Sequence, residues 1–324
     1  MRVAVVGLGA LGARAARQLA STDSVSEVVL HDSSPGHSEQ VAEALGAKAQ
    51  VHSGSAEAIE ADVVVVATPC GTQLPLARAR VNAGLPVVTT SDQVDEVRAL
   101  LNLGPEAETR GTTVVVGASF SPGLSCLLAK LASQHLDTVD EIHIARLGTG
   151  GPACARQHHG SLGGIALDWR DGGWQQRPGG SGRELIWFPD PVGAADCYRA
   201  ELPDALLLVP EFPGVGRVTA RLSATRRDRL TSRLPMLRQP HPEGAVGAIR
   251  VEVRGRNAEG FQVEILGAMD RPGVGGGAVA ALAAVELAES GFSQTGAGGL
   301  ASLVDAGKFL TELHRRGVKV ATFG

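Results

Sequence analysis

The residues that announce chemistry first are glycines. Gly7-Leu8-Gly9-Ala10-Leu11-Gly12 follows the apolar run Arg2-Val3-Ala4-Val5-Val6, and an alanine- and leucine-rich stretch runs on from Ala10 to Ala20. A GxGxxG spacing between strand and helix is a cradle for a pyrophosphate. Gly7 permits the tight turn, Gly9 lets backbone approach the phosphates, and Gly12 lets the helix pack on the strand. The helix start at Ala10 and Leu11 offers free N–H groups and a partial positive charge. Asp32 lies twenty residues beyond Gly12, at the end of the run Glu27-Val28-Val29-Leu30-His31. There it is placed to accept hydrogen bonds from ribose hydroxyls and to repel a 2′-phosphate. No arginine follows in Ser33-Ser34-Pro35-Gly36-His37, so the expected cofactor is NAD, with NADP the lesser possibility.

A second set of residues suits proton transfer and carboxylate binding. Histidine titrates near neutrality and burial can raise an aspartate, so His158, His159 and Asp92 are the candidate acid–base groups. Asp92 has an equally good reading as the cap of a helix over 92–102. Arg156, Arg170 and Arg183 are candidate forks for a substrate carboxylate, with Arg156 preferred because it lies two residues from His158. The segment 148–200 holds all three tryptophans (Trp169, Trp174, Trp187) and the single tyrosine, Tyr198, of a chain whose aromatic content is only 3%. Large rigid anchors beside fixed polar groups fit a substrate pocket, with Trp169 and Trp174 sealing it, or an oligomer interface. The sequence leaves both open. Cys70, Cys126, Cys154 and Cys197 form no CxxC pair, which points to reduced thiols and no metal site.

These residues need a scaffold. Ala61–Thr68, Leu85–Thr90 and Thr113–Gly117 are short apolar runs alternating with helical stretches, the pattern of strands buried on both faces of a parallel sheet. Ligands of such sheets lie outside the carboxyl ends of the strands, where Thr68, Pro69, Asp92 and Ser119–Ser125 fall. Beyond a helix at 122–134 the texture changes. Ala248–Arg254 and Phe261–Ile265 alternate as neighbouring antiparallel strands with one wet face. Glu141–Leu147, Ala205–Val209 and Val218–Leu222 are weaker strand candidates. Gly275–Ser290 and Leu300–Val318 read as helices.

The expected fold class is therefore α/β: an N-terminal Rossmann doubly wound parallel sheet plus an α+β second domain with a largely antiparallel or mixed sheet. The expected division is residues 1–123 for the dinucleotide, 124–275 for substrate or oligomerisation, and 276–324 as C-terminal helices packing back on the first domain. At 324 residues with 44% hydrophobic and 20% charged content and a net charge of −4, the chain reads as soluble and cytoplasmic. Nothing in that charge calls for nucleic acid or a membrane. A homo-oligomer is expected.

With the turn, Thr90-Ser91-Asp92 and the helix start Ser121-Pro122-Gly123-Leu124-Ser125 in view, the chain resembles the saccharopine dehydrogenase-like oxidoreductases, best over residues 1–130. The resemblance implies two domains and NAD(P)-dependent transfer of a hydride at a C–N (amine/imine) centre of a small amino-acid-like substrate. Sugar oxidoreductases of the glucose–fructose type usually carry Glu-Lys-Pro at the end of the fifth strand, with the lysine as catalytic acid. Here that place reads Thr89-Thr90-Ser91-Asp92. The alternative from another class is a cofactor-binding protein without turnover, using the aromatic segment 148–200 to recognise a partner.

Overall fold

The computed structural model describes residues 1–236, 239–289, 291–292 and 294–323. The chain divides into two compact units, Met1–Gly123 with Gly273–Val304, and Leu124–Pro272 with Asp305–Gly324.

The first unit begins β1 (Arg2–Val6), α1 (Ala10–Ala20), β2 (Glu27–His31), α2 (Pro35–Leu45), β3 (Ala49–Val51), β4 (Val63–Val66), α3 (Leu74–Asn82), β5 (Val87–Thr89), α4 (Val94–Leu101), α5 (Gly104–Thr109) and β6 (Thr113–Val115). All four valines of β4 are fully buried, as are Val3, Ala4 and Val5 of β1. A strand covered on both faces has no wet side to alternate toward, so it reads as an unbroken apolar run.

The second unit runs through α6 (Leu124–Ala132), β7 (Thr138–Leu147), α7 (Pro152–Ser161), β8 (Ile165–Arg170), β9 (Gly173–Pro178), β10 (Glu184–Trp187), β11 (Ala194–Arg199), α8 (Asp204–Leu208), β12 (Arg217–Ser223), α9 (Arg226–Thr231), β13 (Gly247–Asn257) and β14 (Gly260–Asp270). The chain then returns to the first unit for α10 (Pro272–Glu289), β15 (Gly296–Gly298) and α11 (Leu300–Leu303), and ends in the second with α12 (Ala306–Arg315) and β16 (Val320–Thr322).

The first sheet has the order β15-β6-β5-β4-β1-β2-β3 with every pairing parallel. The order reverses between β1 and β4, the switch point at which such sheets open a crevice for ligand. The second sheet is mixed. Its path is β10-β11-β12-β7-β13-β14-β16, with the β8–β9 hairpin attached to β12. Only β12–β7 is parallel there; β13 and β14 pair antiparallel from Gly247↔Asp270 to Asn257↔Gly260. The α/β class and the mixed second sheet are as the sequence indicates.

Two element assignments differ. Ala205–Val209 is not a strand: Asp204–Leu208 is the helix α8, continued by a 3-10 turn at Val209–Glu211. A run of five apolar residues carries no period that separates strand from buried helix. Leu300–Val318 is two helices, because Val304 is extended and the Asp305 side chain caps α12 by accepting from the Lys308 N–H at 3.0 Å. The expected C-terminal block 276–324 is accordingly divided after Val304, with α10, β15 and α11 in the first unit and α12 and β16 in the second.

The glycine run opening α10 has a packing cause. A Cβ at Gly276 would stand 2.9 Å from the Phe120 nitrogen, and one at Gly277 would stand 2.9 Å from the Ala15 nitrogen and the Leu11 oxygen. The helix lies backbone against backbone on α1, a spacing that only glycine permits.

Candidate functional site

In the first unit the three glycines of the turn do three different things. Gly7 has φ +90°, and a Cβ there would meet the Ala67 carbonyl and the Thr68 nitrogen at 2.7 Å. Gly12 lies so close to the Gly7 oxygen that any side chain would overlap it. Gly9 differs from both: a Cβ there meets nothing within 4 Å. Its exposed position caps α1 with no side-chain hydrogen bond, and the first turn holds no acidic residue. Ala10 and Leu11, half-buried, open the helix. The result is an open concavity of backbone N–H groups at a positive helix end, the arrangement that accepts a diphosphate.

Asp32 stands beside this turn. Its Oδ2 accepts the Leu8 N–H at 2.7 Å and its Oδ1 the Ser34 N–H at 2.9 Å. Those bonds fix the carboxylate and leave each oxygen a further lone pair for a ribose hydroxyl. Thr68 and Pro69 open the loop after β4, half-buried and exposed respectively. The Thr72 hydroxyl bridges them, to Thr68 Oγ1 at 3.0 Å and to the Pro69 carbonyl at 2.6 Å.

The residues that hold this loop were not singled out by the sequence. Buried Glu96, on α4, accepts from the N–H groups of Gly71 (2.7 Å), Gln73 (2.6 Å) and Leu74 (3.2 Å) and from the Ser91 hydroxyl (2.6 Å). Buried Gln73 donates to the Thr68 carbonyl at 2.8 Å and accepts the Thr90 N–H at 2.9 Å. The loop bearing Thr68 and Pro69 is thereby clamped to the ends of β4 and β5. The available signal was the acidic pair Asp95-Glu96 in the first turn of α4, which reads as ordinary helix chemistry.

Asp92 is not a helix cap: α4 begins at Val94 and Gln93 occupies its cap position. Asp92 is instead 7% exposed and accepts from the Cys70 thiol at 2.9 Å. Burial, with the Asp92 charge beside it, pushes the Cys70 thiol well above its ordinary range. Burial likewise raises Cys197 to about 12. Neither is a nucleophile near neutral pH, and none of the four cysteines forms a disulfide.

In the second unit Arg156, His158 and His159 share the helix α7, but not one face of it. Successive helical residues point about 100° apart. His158 is buried, with Nε2 3.4 Å from Cys154 Sγ one turn earlier. His159 points elsewhere, its Nε2 lying 2.9 Å from the Thr231 carbonyl and 3.2 Å from that of Leu234. Arg156 is exposed. Trp169 and Trp174 meet edge to face across the β8–β9 hairpin, centroids 5.0 Å apart, and Trp169 Nε1 donates to the Val215 carbonyl at 2.9 Å. Arg170 and Arg183 are exposed and pair with Asp171 and Asp196.

Residues 1–118 match the model of an oxidoreductase family described by its NAD-binding Rossmann fold. Met1–Ala118 is thus similar to the NAD-binding domains of that family. Over the whole chain the fold is similar to that of a saccharopine dehydrogenase. The apo, histidine-tagged, L-Glu-forming enzyme of Saccharomyces cerevisiae superposes with a TM-score of 0.72 over 100% of both chains, at 16% identity. GenD2 from gentamicin A biosynthesis, solved with NAD, gives 0.50 at 18% identity over 100% of this chain and 96% of its own. The DAP dehydrogenase of C. glutamicum, solved with DAP, gives 0.50 at 15% identity over 98% and 99%. The glycine turn, Asp32 and the Glu96 clamp all lie within these matched residues. Among the described residues no helix is long and apolar enough to cross a membrane.

Proposed function

We propose that the protein transfers a hydride between a nicotinamide dinucleotide, NAD in preference to NADP, and the C–N centre of a small amino-acid-like substrate. The observation that carries the cofactor half is the open concavity at Gly9 with Asp32 fixed beside it. The substrate half is supported by the fold likeness over the full length of saccharopine dehydrogenase, and by the absence of lysine from Thr89–Asp92.

The bound dinucleotide supplies the hydride chemistry. The chain's own part is to hold its phosphates at Gly7–Gly12, to hold the ribose at Asp32, and to present the face carried by Thr68 and Pro69. Oxidation of an amine removes a hydride and a proton together, so one side chain must take the proton. We assign that to His158 with Asp92 as the second candidate. The Nε2 proton of His159 is already committed to two backbone carbonyls, and its role is to hold the segment after α9. Arg156 is assigned to a substrate carboxylate, and Trp169 and Trp174 to excluding water from it. Assembly as a homo-oligomer belongs to the same proposal.

The test is absorbance at 340 nm with NAD and NADP against amino acids, and with the reduced cofactors against keto acids plus amines. Turnover of an amine with NAD, or of an imine with NADH, is the expected result. Turnover confined to sugars or polyols, or stoichiometric binding with no turnover at all, overturns the substrate assignment. Tighter binding of NADPH than of NADH overturns the reading of Asp32.

A further inference from the structure

The second unit contains a cavity of about 350 Å³ between α7 and the chain that follows α9. Arg156, His159 and Gly160 supply one wall, lying on one face of α7 at spacings of three and four. Arg233, Leu234, Pro235 and Met236 supply the other. His159 is the strut between the walls through its bonds to the Thr231 and Leu234 carbonyls.

The cavity's charge is one-sided. Among its described lining residues two are arginines and none is acidic. Several other guanidinium groups in this unit are matched: Arg199 pairs with Asp168, Arg221 with Glu184, and Arg250 and Arg254 with Glu252. Arg156 and Arg233 have no hydrogen-bond or ion-pair partner among the described residues. Two arginines lining one half-open pocket raise the local concentration of anions and can present paired donors to an oxyanion. The volume is that of a small-ligand site.

We propose that this cavity binds a small oxyanion-bearing molecule, a carboxylate or a phosphate ester, held between Arg156 and Arg233 with Leu234, Pro235 and Met236 against its carbon skeleton. The inference rests on the proposed function only in taking this anion as part of the substrate, and adds Arg233 as a residue that selects an anionic one.

The experiment is calorimetric titration of the full chain, without nucleotide, with succinate and with inorganic phosphate, repeated on Arg156→Gln, Arg233→Gln and Arg233→Lys. Phosphate is also titrated into Gly9→Val, which separates binding in the cavity from binding at the α1 turn. Succinate or phosphate binds, the preferred one naming the group. Each glutamine variant weakens it about tenfold or more, the scale of one charge-assisted hydrogen bond, and Arg233→Lys restores part of the loss. Unchanged melting temperatures in these exposed-arginine variants show that the fold is intact. Binding of neither anion, or equal binding to wild type and both glutamine variants, overturns the site. If anion binding follows the arginines while no amine substrate turns over, the site stands and the proposed reaction falls. If an amine substrate turns over equally well in Arg233→Gln, the reaction stands and the site's role in it falls.

Discussion

At the scale of single residues, Gly9 and the two histidines make the sharpest demands. Gly9 has free space where a side chain would go, so Gly9→Val folds normally; what it obstructs is the approach of a pyrophosphate to backbone. The expected outcome is an unchanged melting temperature with NADH binding lost in a calorimetric titration; wild-type affinity overturns the assignment. For the histidines a contrast is expected once a substrate is known. Removing a general acid–base group costs about 10²–10⁴-fold in rate, so His158→Ala falls by that amount with little change in NADH affinity. His159→Ala leaves the Thr231 and Leu234 carbonyls without its donor, and lowers the melting temperature more than it lowers turnover. Rates that fall alike would contradict the division. The glycine turn and Asp32 were legible because a phosphate cradle imposes residue types at short fixed spacings. The different directions of His158 and His159 follow from α7, which sequence did not show: Pro152–Ser161 carries adjacent histidines, a glycine and little apolar pattern to mark it as a helix.

At the scale of elements, the loop after β4 is held by a residue from another helix. Glu96 and its partners are separated by 25 residues at Gly71 and 23 at Gln73. No local pattern reports such a contact, whereas the strands and helices that bring it about were readable from periodicity. The contact sets a prediction. A glutamine at 96 keeps the volume, but its amide nitrogen donates where the carboxylate accepted, and faces N–H groups of the loop. A buried donor left unsatisfied costs about 1–3 kcal/mol, so Glu96→Gln is destabilised by about 2 kcal/mol in chemical denaturation. NADH binding weakens too, because Thr68 and Pro69 lose their clamp. A variant as stable as wild type with full NADH affinity would remove Glu96 as a positioning residue. The two misread segments share a physical cause, which is that neither is decided by local pattern. The apolar run Ala205–Val209 takes its conformation from tertiary burial, and the break in the C-terminal helices turns on a single cap at Asp305.

At the scale of the molecule, the two units should respond to different variables, the first to cofactor and the second to acid. One face of the second sheet carries a largely buried ionic network: His143 Nε2 lies 2.8 Å from Glu141 and Nδ1 2.9 Å from the Thr219 hydroxyl, while Glu252 pairs with Arg250 and Arg254. Burial lowers His143 below its ordinary 6.5, the neighbouring Glu141 only partly opposing it. Burial alone would raise Glu141 and Glu252, but His143 and the surrounding arginines outweigh it and hold both below the usual carboxylate range. A lowered histidine contributes stability that is complete above 6.5 and lost as pH falls below it. The lowered carboxylates lose theirs further down, as pH falls through their folded-state values. Asp270, raised by burial, works the other way, but against three groups. The melting temperature of the second unit should therefore be flat above about pH 7 and fall between about pH 6.5 and about pH 5 as the unfolded chain's histidine takes up its proton first. His143→Gln, which keeps a hydrogen-bonding side chain beside Thr219 without a titrating one, should flatten that upper part of the fall and leave the steeper loss at lower pH. Hydrogen exchange locates the effect. The variant should change protection in peptides from β7, β12 and β13, while NADH raises it in peptides from β1, α1 and β2. An unaltered pH profile in His143→Gln would show that the acid response originates outside this network.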